Sequence, residues 1–398
     1  MSEKIPKGWK WVKLGEAPLK IIDGDRGKNY PSNNDLKNNG YCLFLSTKNV
    51  KSDGFCFDEC QFITKEKDEA LKKGKLKRFD LVFTTRGTVG NVGYFNSKVK
   101  YENIRINSGM VIIRPDTRSL NPEFNYYIFR FIGKCINSFV SGSAQPQLPI
   151  RDLKEVKIPL PPLPEQKAIA EVLSSIDDKI ELLHRQNTTL EEMAMTLFRQ
   201  WFIEPTKDGL PEGWEEKALD EIAEFLNGIP SQKYPGDKLP VIKIKEMREG
   251  ITESSDYCNN NVPEKYLVNS GDILFSWSGS LEVVIWFGSI GVLNQHIFKV
   301  TSLEYPKWFC YLSIKQHIEE FRAIAESKTT TMGHIQREHL SNTKVFIPPK
   351  IFFENFNKAM TPIFDKIIAN NAEIQTLEKL RDTLLPKLMS GEVRVMKK

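Results

Sequence analysis

The chain repeats itself at a fixed distance. Leu148-Pro-Ile-Arg-Asp-Leu153 aligns with Ile335-Gln-Arg-Glu-His-Leu340. Val156–Pro162 aligns with Thr343–Pro349, Asp178-Lys-Ile180 with Asp365-Lys-Ile367, and Thr196-Leu197 with Thr383-Leu384, all at one offset of 187 residues without a gap. Further upstream the match continues at other offsets. Pro6-Lys-Gly-Trp9 resembles Pro211-Glu-Gly-Trp214, Asp80-Leu-Val-Phe83 resembles Asp272-Ile-Leu-Phe275, and Gly87 falls on Gly279. Self-similarity at a long period means one supersecondary unit built twice. A constant offset in the back of each half and a changing one in front predict a rigid rear segment and loops of differing length ahead of it.

The rear segments read as helices with a seam. Ile169, Leu173, Ile176, Ile180, Leu183, Asn187, Leu190, Ala194, Leu197 and Trp201 step alternately by four and three, a heptad pattern. The repeat places Phe356, Met360, Ile363, Ile367, Asn370, Ile374, Leu377, Arg381, Leu384 and Leu388 on the matching seam. Pro164 suits a first helical position, and Pro205 and Gly391 suit stops. One helix over 164–202 would be about 58 Å long. Each seam holds one asparagine. If the helices pair antiparallel with Asn187 facing Asn370, every facing pair of residue numbers adds to 557, including Leu183 with Ile374 and Leu173 with Leu384. A buried asparagine pair sets register at some cost in stability. Pro362 and Pro386 predict a kink in the second helix, or a late start and an early end.

The expected fold is therefore mixed α/β. Two globular domains, 1–158 and 207–347, are joined by segments 159–206 and 348–398, whose long helices form an antiparallel coiled coil about a pseudo-twofold axis. The fronts carry strand-like runs at Asp80–Thr84, Gly109–Ile113, Asp272–Ser276 and Gln295–Val300, and helical stretches near Pro122–Ile136 and Tyr305–Ala325. Mean hydropathy is −0.37, and no apolar run is long enough to cross a membrane. The start of the chain has no apolar segment of the secretory kind, and six unevenly spaced cysteines make no disulfide framework, so a cytoplasmic location is expected. The net charge of +5 is an average. Residues 1–150 hold 25 Lys/Arg and 15 Asp/Glu, for +10, whereas 151–205 carry −3 and 206–398 carry −2. The excess is densest at Lys72, Lys73, Lys75, Lys77 and Arg78, and a basic domain suits a polyanion partner.

Catalytic signatures are missing. No phosphate-binding loop, dinucleotide fingerprint, nucleophile elbow or adenine-methyltransferase tetrapeptide occurs. Pro115-Asp116 with Glu155-Val-Lys157 mimics a metal-dependent nuclease, but the separation is large and the repeat has Asn342 at the place of Glu155. Cys42, Cys56 and Cys60 lack a fourth ligand at zinc-finger spacing. His334 and His339 are five apart, unlike a helical zinc pair. Neither a catalytic residue nor a metal ligand is assigned.

What remains is binding. Two loops recur at matched places: Thr84–Asn91 against Ser276–Leu281, and Ser141–Gln147 against Ser327–Gly333. Small hydroxyl residues and glycines admit a phosphate backbone, while Arg and Gln can make bidentate contacts with guanine and adenine. Arg86, Thr88, Asn91, Gln145 and Gln147 in the first copy, and Ser278, Ser280, Lys328 and Thr330 in the second, are the candidate nucleic-acid contacts. The candidate coil contacts are Ile169, Leu173, Ile180, Leu183, Asn187, Leu190 and Leu197 with Ile367, Asn370, Ile374, Leu377 and Leu384.

Ile158-Pro-Leu-Pro-Pro-Leu-Pro-Glu-Gln166 followed by a heptad helix, its weaker repeat at Val345–Lys350, the Pro-x-Gly-Trp heads and the Asp80 and Asp272 strands together resemble the specificity subunit of type I restriction-modification systems. The resemblance spans essentially the whole chain and departs from the pattern at Phe352-Phe353, where the first copy has Glu165-Gln166. It implies two target recognition domains, each reading half of a bipartite site in double-stranded DNA, and no catalysis by this chain. It further implies two methyltransferase subunits and restriction/translocase subunits as partners. S-adenosylmethionine, ATP and Mg would be bound by those partners. The competing expectation is a coiled-coil scaffold that joins proteins without reading DNA.

Overall fold

The computed structural model describes residues 5–52, 54–136, 146–230, 234–252, 254–327 and 333–395. It divides into two compact units, 1–179 with 377–398, and 180–376. Each unit therefore contains one front and one end of each long helix.

The first unit is organised by an antiparallel four-stranded sheet in the order Leu19–Asp23, Met110–Pro115, Leu81–Thr84, Val92–Tyr94. Successive side chains of a strand point to opposite faces. Val111, Ile113, Leu81 and Phe83 accordingly enter a core with the helix Pro122–Cys135, while Met110, Ile112 and Val82 enter a second core with Leu43, Leu45, Ile104 and Ile106. That second core belongs to a smaller sheet in which Cys42–Leu45 runs parallel to Ile104–Ile106. The second unit repeats the scheme. Its four-stranded sheet runs Glu224–Asn227, Ile297–Thr301, Ile273–Ser276, Val283–Ile285, and a smaller sheet pairs Pro235–Ile242 in parallel with Gly291–Leu293. Between equivalent strands Ile104–Ile106 and Gly291–Leu293 the offset is already 187, so the constant register begins some forty residues earlier than the sequence motifs suggest.

Each unit is closed by an antiparallel ribbon, Lys10–Lys13 with Lys157–Leu160 and Glu215–Ala218 with Lys344–Ile347. The Pro-x-Gly-Trp motifs are the turns that enter these ribbons, with Trp9 N donating to Pro6 O and Trp214 N to Pro211 O, both at 3.1 Å. The Asp80 and Asp272 motifs are turns as well. Lys77 N donates to the Asp80 carboxylate at 2.7 Å and Asn269 N to that of Asp272 at 2.9 Å. Both aspartates thus hold strand entries rather than a ligand.

The long helices span Leu163–Phe198 and Lys350–Ser390. The first leaves α geometry earlier than its heptads predict, through a π turn at Arg199–Ile203. The turn buries Phe202 among Phe198, Trp308, Phe309, Phe353 and Phe356, and stacks Trp201 on Phe356 at 4.7 Å. The second helix runs through Pro362 and Pro386 without interruption. Both prolines are exposed, so the lost backbone hydrogen bonds fall on the solvent side. The predicted helix Tyr305–Ala325 is instead two helices, Lys307–Gln316 and Ile318–Ser327, broken at His317.

Along the seam Ile169, Leu173, Ile180, Leu183, Asn187, Ile367, Asn370 and Ile374 are buried, and Leu190, Leu197, Leu377 and Leu384 partly so. In the first unit Ile169 and Leu173 share a core with Leu385 and Leu388. In the second, Asn370 Nδ2 donates to Asn187 Oδ1 at 2.9 Å. Each unit also docks a short helix on the first long helix through a tyrosine and a cation that meet one carboxylate. Tyr127 and Arg130 reach Asp177 at 2.8 and 3.3 Å, and Asp177 also takes the seam residue Arg381 at 3.0 Å. Lys315 and Tyr311 reach Glu191 at 2.6 and 3.4 Å.

The two copies of the linker are fastened differently. Buried Gln166 accepts from Asn121 N at 2.9 Å and donates to Pro161 O at 3.0 Å. At the matching position Phe353 stacks on Trp308 at 5.8 Å instead. Beside Gln166, Glu165 accepts two hydrogen bonds from Arg394, both 2.9 Å, and one from Trp9 Nε1 at 3.0 Å.

Two predictions concern this framework. Replacing both Asn187 and Asn370 by Leu should raise the thermal midpoint of unfolding, because apolar packing replaces a buried polar pair. Asn370→Leu alone strands the Asn187 amide and should cost roughly 1–3 kcal/mol. A double variant melting below the wild type would contradict the first expectation. The second prediction follows from Glu165, whose pKa is lowered chiefly by the Arg394 hydrogen bonds, against partial burial and with help from Trp9. A depressed folded pKa stabilises above the ordinary glutamate value, near 4.5, and that contribution is lost as pH falls through the lower folded value. Denaturant titrations should therefore show wild type and Glu165→Gln converging as pH falls below about 4; a constant difference down to pH 2 would refute the linkage.

Candidate nucleic-acid interface

Each strand-end loop meets the described end of the loop that precedes the linker, and does so in the same way in both units. In the first, Leu148 N donates to Thr85 O at 2.9 Å and Gly87 N to Pro146 O at 3.2 Å, so that Arg86 and Gln147 form a single antiparallel bridge. In the second, Ile335 N donates to Trp277 O at 2.9 Å and Gly279 N to Gly333 O at 2.9 Å, bridging Ser278 and His334. Gly87 and Gly279 sit at φ 73° and 67°, a conformation that glycine adopts without steric cost, and each lets its loop turn back at this bridge.

A hydroxyl at the strand end closes each loop. Thr84 Oγ1 donates to Thr88 O and accepts from Asn91 N at 2.9 Å; Ser276 Oγ donates to Ser280 O at 2.8 Å and accepts from Glu282 N at 2.8 Å. The third element of each site is a turn between strands. Asn107 Oδ1 accepts from Gly109 N at 2.9 Å, and Asn294 Oδ1 accepts from His296 N at 3.2 Å. The carbonyls of Gly109 and His296 then take the amides of Thr85 at 2.9 Å and Trp277 at 3.2 Å. Asn107 and Asn294 are 187 residues apart, so the repeat could have revealed this turn.

The candidate side chains separate by orientation. Arg86 is half-exposed, and among the described residues nothing hydrogen-bonds its guanidinium. Gln147 is half-exposed and Thr88 exposed. Asn91 is committed internally, donating to Val50 O at 2.9 Å. Ser280 is exposed, but Ser278 is buried and its hydroxyl meets His296 Nδ1 at 3.0 Å. Gln145, Lys328 and Thr330 lie outside the described residues.

The fold also divides the basic run. Lys75 is held by Asp68, and Arg78 donates to Asn96 O at 2.7 Å and Val99 O at 3.0 Å while covering the Phe95 ring. Lys72 and Lys73 instead point to solvent, and among the described residues no acid pairs with them. Their backbone amides donate to the Asp25 carboxylate at 2.8 and 3.3 Å, and Gly27 N donates to it at 2.8 Å. These bonds lower the Asp25 pKa, that from Gly27 first. Gly24 lies so close to Asn107 that a Cβ would come within 2.5 Å of its carbonyl oxygen, as Gly228 does with Asn294. The Asp25–Tyr30 loop, with exposed Arg26 and Lys28, is thereby set beside the Asn107 turn, and Tyr30 Oη takes Ser108 N at 3.3 Å. This loop escapes a motif search because Asp25 bonds backbone amides 47 and 48 residues away.

The decoys are placed elsewhere. Asp116 pairs with Arg118 and Glu155 with Lys13, both exposed. Cys42 is buried, its thiol pushed up to about 12 by desolvation, and Cys56 and Cys60 make local hydrogen bonds. Among the described residues no cluster could hold a metal, and no helix is long and apolar enough to cross a membrane.

The type I restriction modification DNA specificity domain model matches residues 6–192 and again 211–380. The chain belongs to this family. This specificity subunit is 31% identical over 359 residues to the type I restriction enzyme MjaIX specificity subunit of Methanocaldococcus jannaschii, covering 82% of this chain and 81% of that protein. It is 23% identical over 470 residues to the HindI specificity subunit of Haemophilus influenzae, covering 97% and 99%. Among solved structures, the type I restriction-modification S subunit from M. genitalium matches with a TM-score of 0.53 over 100% of this chain and 98% of that one; at 17% identity this is a likeness of fold. Family membership favours the DNA reader over the protein scaffold.

Lys72 and Lys73 carry a prediction for the assembled complex. Replacing both by Ala should weaken binding to specific and nonspecific DNA alike, and reduce the dependence of log K on log salt by about one per lysine removed. Loss of affinity confined to one DNA sequence would instead mark them as base contacts.

Proposed function

We propose that this specificity subunit reads a bipartite site in double-stranded DNA, residues 1–158 taking one half and residues 207–347 the other. The observation that carries this reading is the bridged loop pair. The same backbone hydrogen bonds recur in both units, while the side chains mounted on them differ: Arg86 and Gln147 in one, Ser278 and His334 in the other. A common frame with different side chains is what two unlike half-sites require. Sequence is read at base edges, and phosphate contacts fix position. Arg86 and Gln147 are the proposed base contacts of the first unit; Lys72, Lys73, Arg26 and Lys28 are its phosphate contacts. Thr88 and Ser280 stand at the exposed loop crowns.

The subunit supplies recognition and leaves the chemistry to its partners. In this proposal it recruits two methyltransferase subunits, which would use S-adenosylmethionine, and restriction subunits, which would use ATP and Mg, in the cytoplasm. Segments 159–206 and 348–398 act as the spacer. Each of their helices is continuous from one unit into the other, so its length limits which separations of half-sites are read.

Inserting one heptad at facing positions of both helices lengthens the spacer by about 10 Å, or about three base pairs of duplex. Sequencing of DNA methylated by the assembled complex should show both half-sites unchanged and a longer unread gap. Altered half-sites would defeat the spacer assignment.

A further inference from the structure

We propose that Gln295 is a base-reading side chain of the second unit and that His296 positions it. The assignment rests on the DNA-reading function above. Gln295 follows Asn294, whose side chain and carbonyl hold the turn by accepting from His296 N at 3.2 Å and Ile297 N at 3.1 Å. Gln295 is half-exposed, and its amide nitrogen donates to His296 Nε2 at 3.2 Å. Nε2 being an acceptor, the ring proton lies on Nδ1 and is donated to Ser278 Oγ at 3.0 Å. The imidazole is also braced by Trp277, 5.6 Å away between centroids. Trp277 in turn donates to Asn227 Oδ1 at 3.0 Å and meets the His334 ring edge-on at 6.4 Å.

One hydrogen bond thus ties the Gln295 amide nitrogen to an imidazole that is itself held by Ser278 and Trp277. One N–H is spent on His296, which leaves one N–H donor and the Oε1 acceptor for a base edge. Adenine offers the complementary pair in the major groove, an N6 donor and the N7 acceptor. The first unit cannot use this arrangement. Gly109 stands where the second unit has His296, and a Cβ there would meet Thr47 Cγ2 at 2.9 Å. It would also lie 3.9 Å from Arg86 Cβ, so Arg86 stands beside Gly109 as Ser278 stands beside His296. The exchange of Arg86 with Gly109 for Ser278 with His296 moves the reading side chain from the strand-end loop to the turn.

The test is the motif methylated by the full complex, read by sequencing. Gln295→Ala should lose preference at one base pair of one half-site, by about tenfold or more, the discrimination of a bidentate pair. Gln295→Glu should change the preference there from adenine to cytosine, whose N4 donates to a carboxylate. His296→Phe, which keeps a ring against Trp277, should blur that same position and no other; a merely structural role would lower methylation at every site. An unchanged motif in both Gln295 variants would overturn the assignment, as would a change in the half-site that responds to Arg86→Ala. A wild-type complex that methylates without sequence preference would overturn the DNA-reading function itself, and this assignment with it.

Discussion

Each unit is built around one end of the seam between the long helices, and neither front has a complete core without it. Ile169 and Leu173 from one helix and Leu385 and Leu388 from the other lie in the same core as the sheet residues Leu81, Phe83, Val111 and Ile113. In the second unit Ala194 and Phe198 share a core with Met360, Ile363, Phe364 and Ile367, and with Phe225, Phe275 and Phe298 of its sheet. Burial of this kind is the dominant favourable term in folding, so the register of the helices and the folding of the fronts are one problem. The polar contacts at Asn187 with Asn370 and at Asp177 with Arg381 matter for that reason. A slip of the seam would strand buried amides and charges as well as misplace leucines.

The same dependence explains the unequal fastening of the two linkers. In the first unit Gln166 bonds backbone groups, while Glu165 joins Trp9 and Arg394. In the second, Phe353 and Phe356 enter an aromatic cluster around Phe202. Directional hydrogen bonds hold one corner and stacking holds the other, and the shared ribbon topology tolerates either.

Much of this architecture was legible in the sequence because it is periodic. The 187-residue offset and the heptad steps survive in an alignment of the chain with itself, and the two asparagines pair in the antiparallel register where residue numbers add to 557. Departures from periodicity were less visible. The π turn at Arg199 exists to aim Phe202, a requirement set by aromatic residues more than a hundred positions away. Proline normally ends a helix, yet Pro362 and Pro386 are accommodated because both face solvent, and facing is a property of packing.

The candidate interface was half legible for a related reason. The loops could be located, since small residues and glycines recur at matched places. Which side chains they release could not, since long-range partners decide it. Asn91 is withdrawn by a carbonyl 41 residues away and Ser278 by an imidazole 18 residues away, whereas Lys72 and Lys73 are presented because Asp25 holds their backbone and leaves their side chains free. What such a frame can present is set by which side chains the common hydrogen bonds leave unspent. Two units with one backbone scheme can then present unlike surfaces through changes at few positions, without altering the strands that support them. A basic first unit with a half-exposed arginine and a second unit with a braced glutamine are two settings of that single frame.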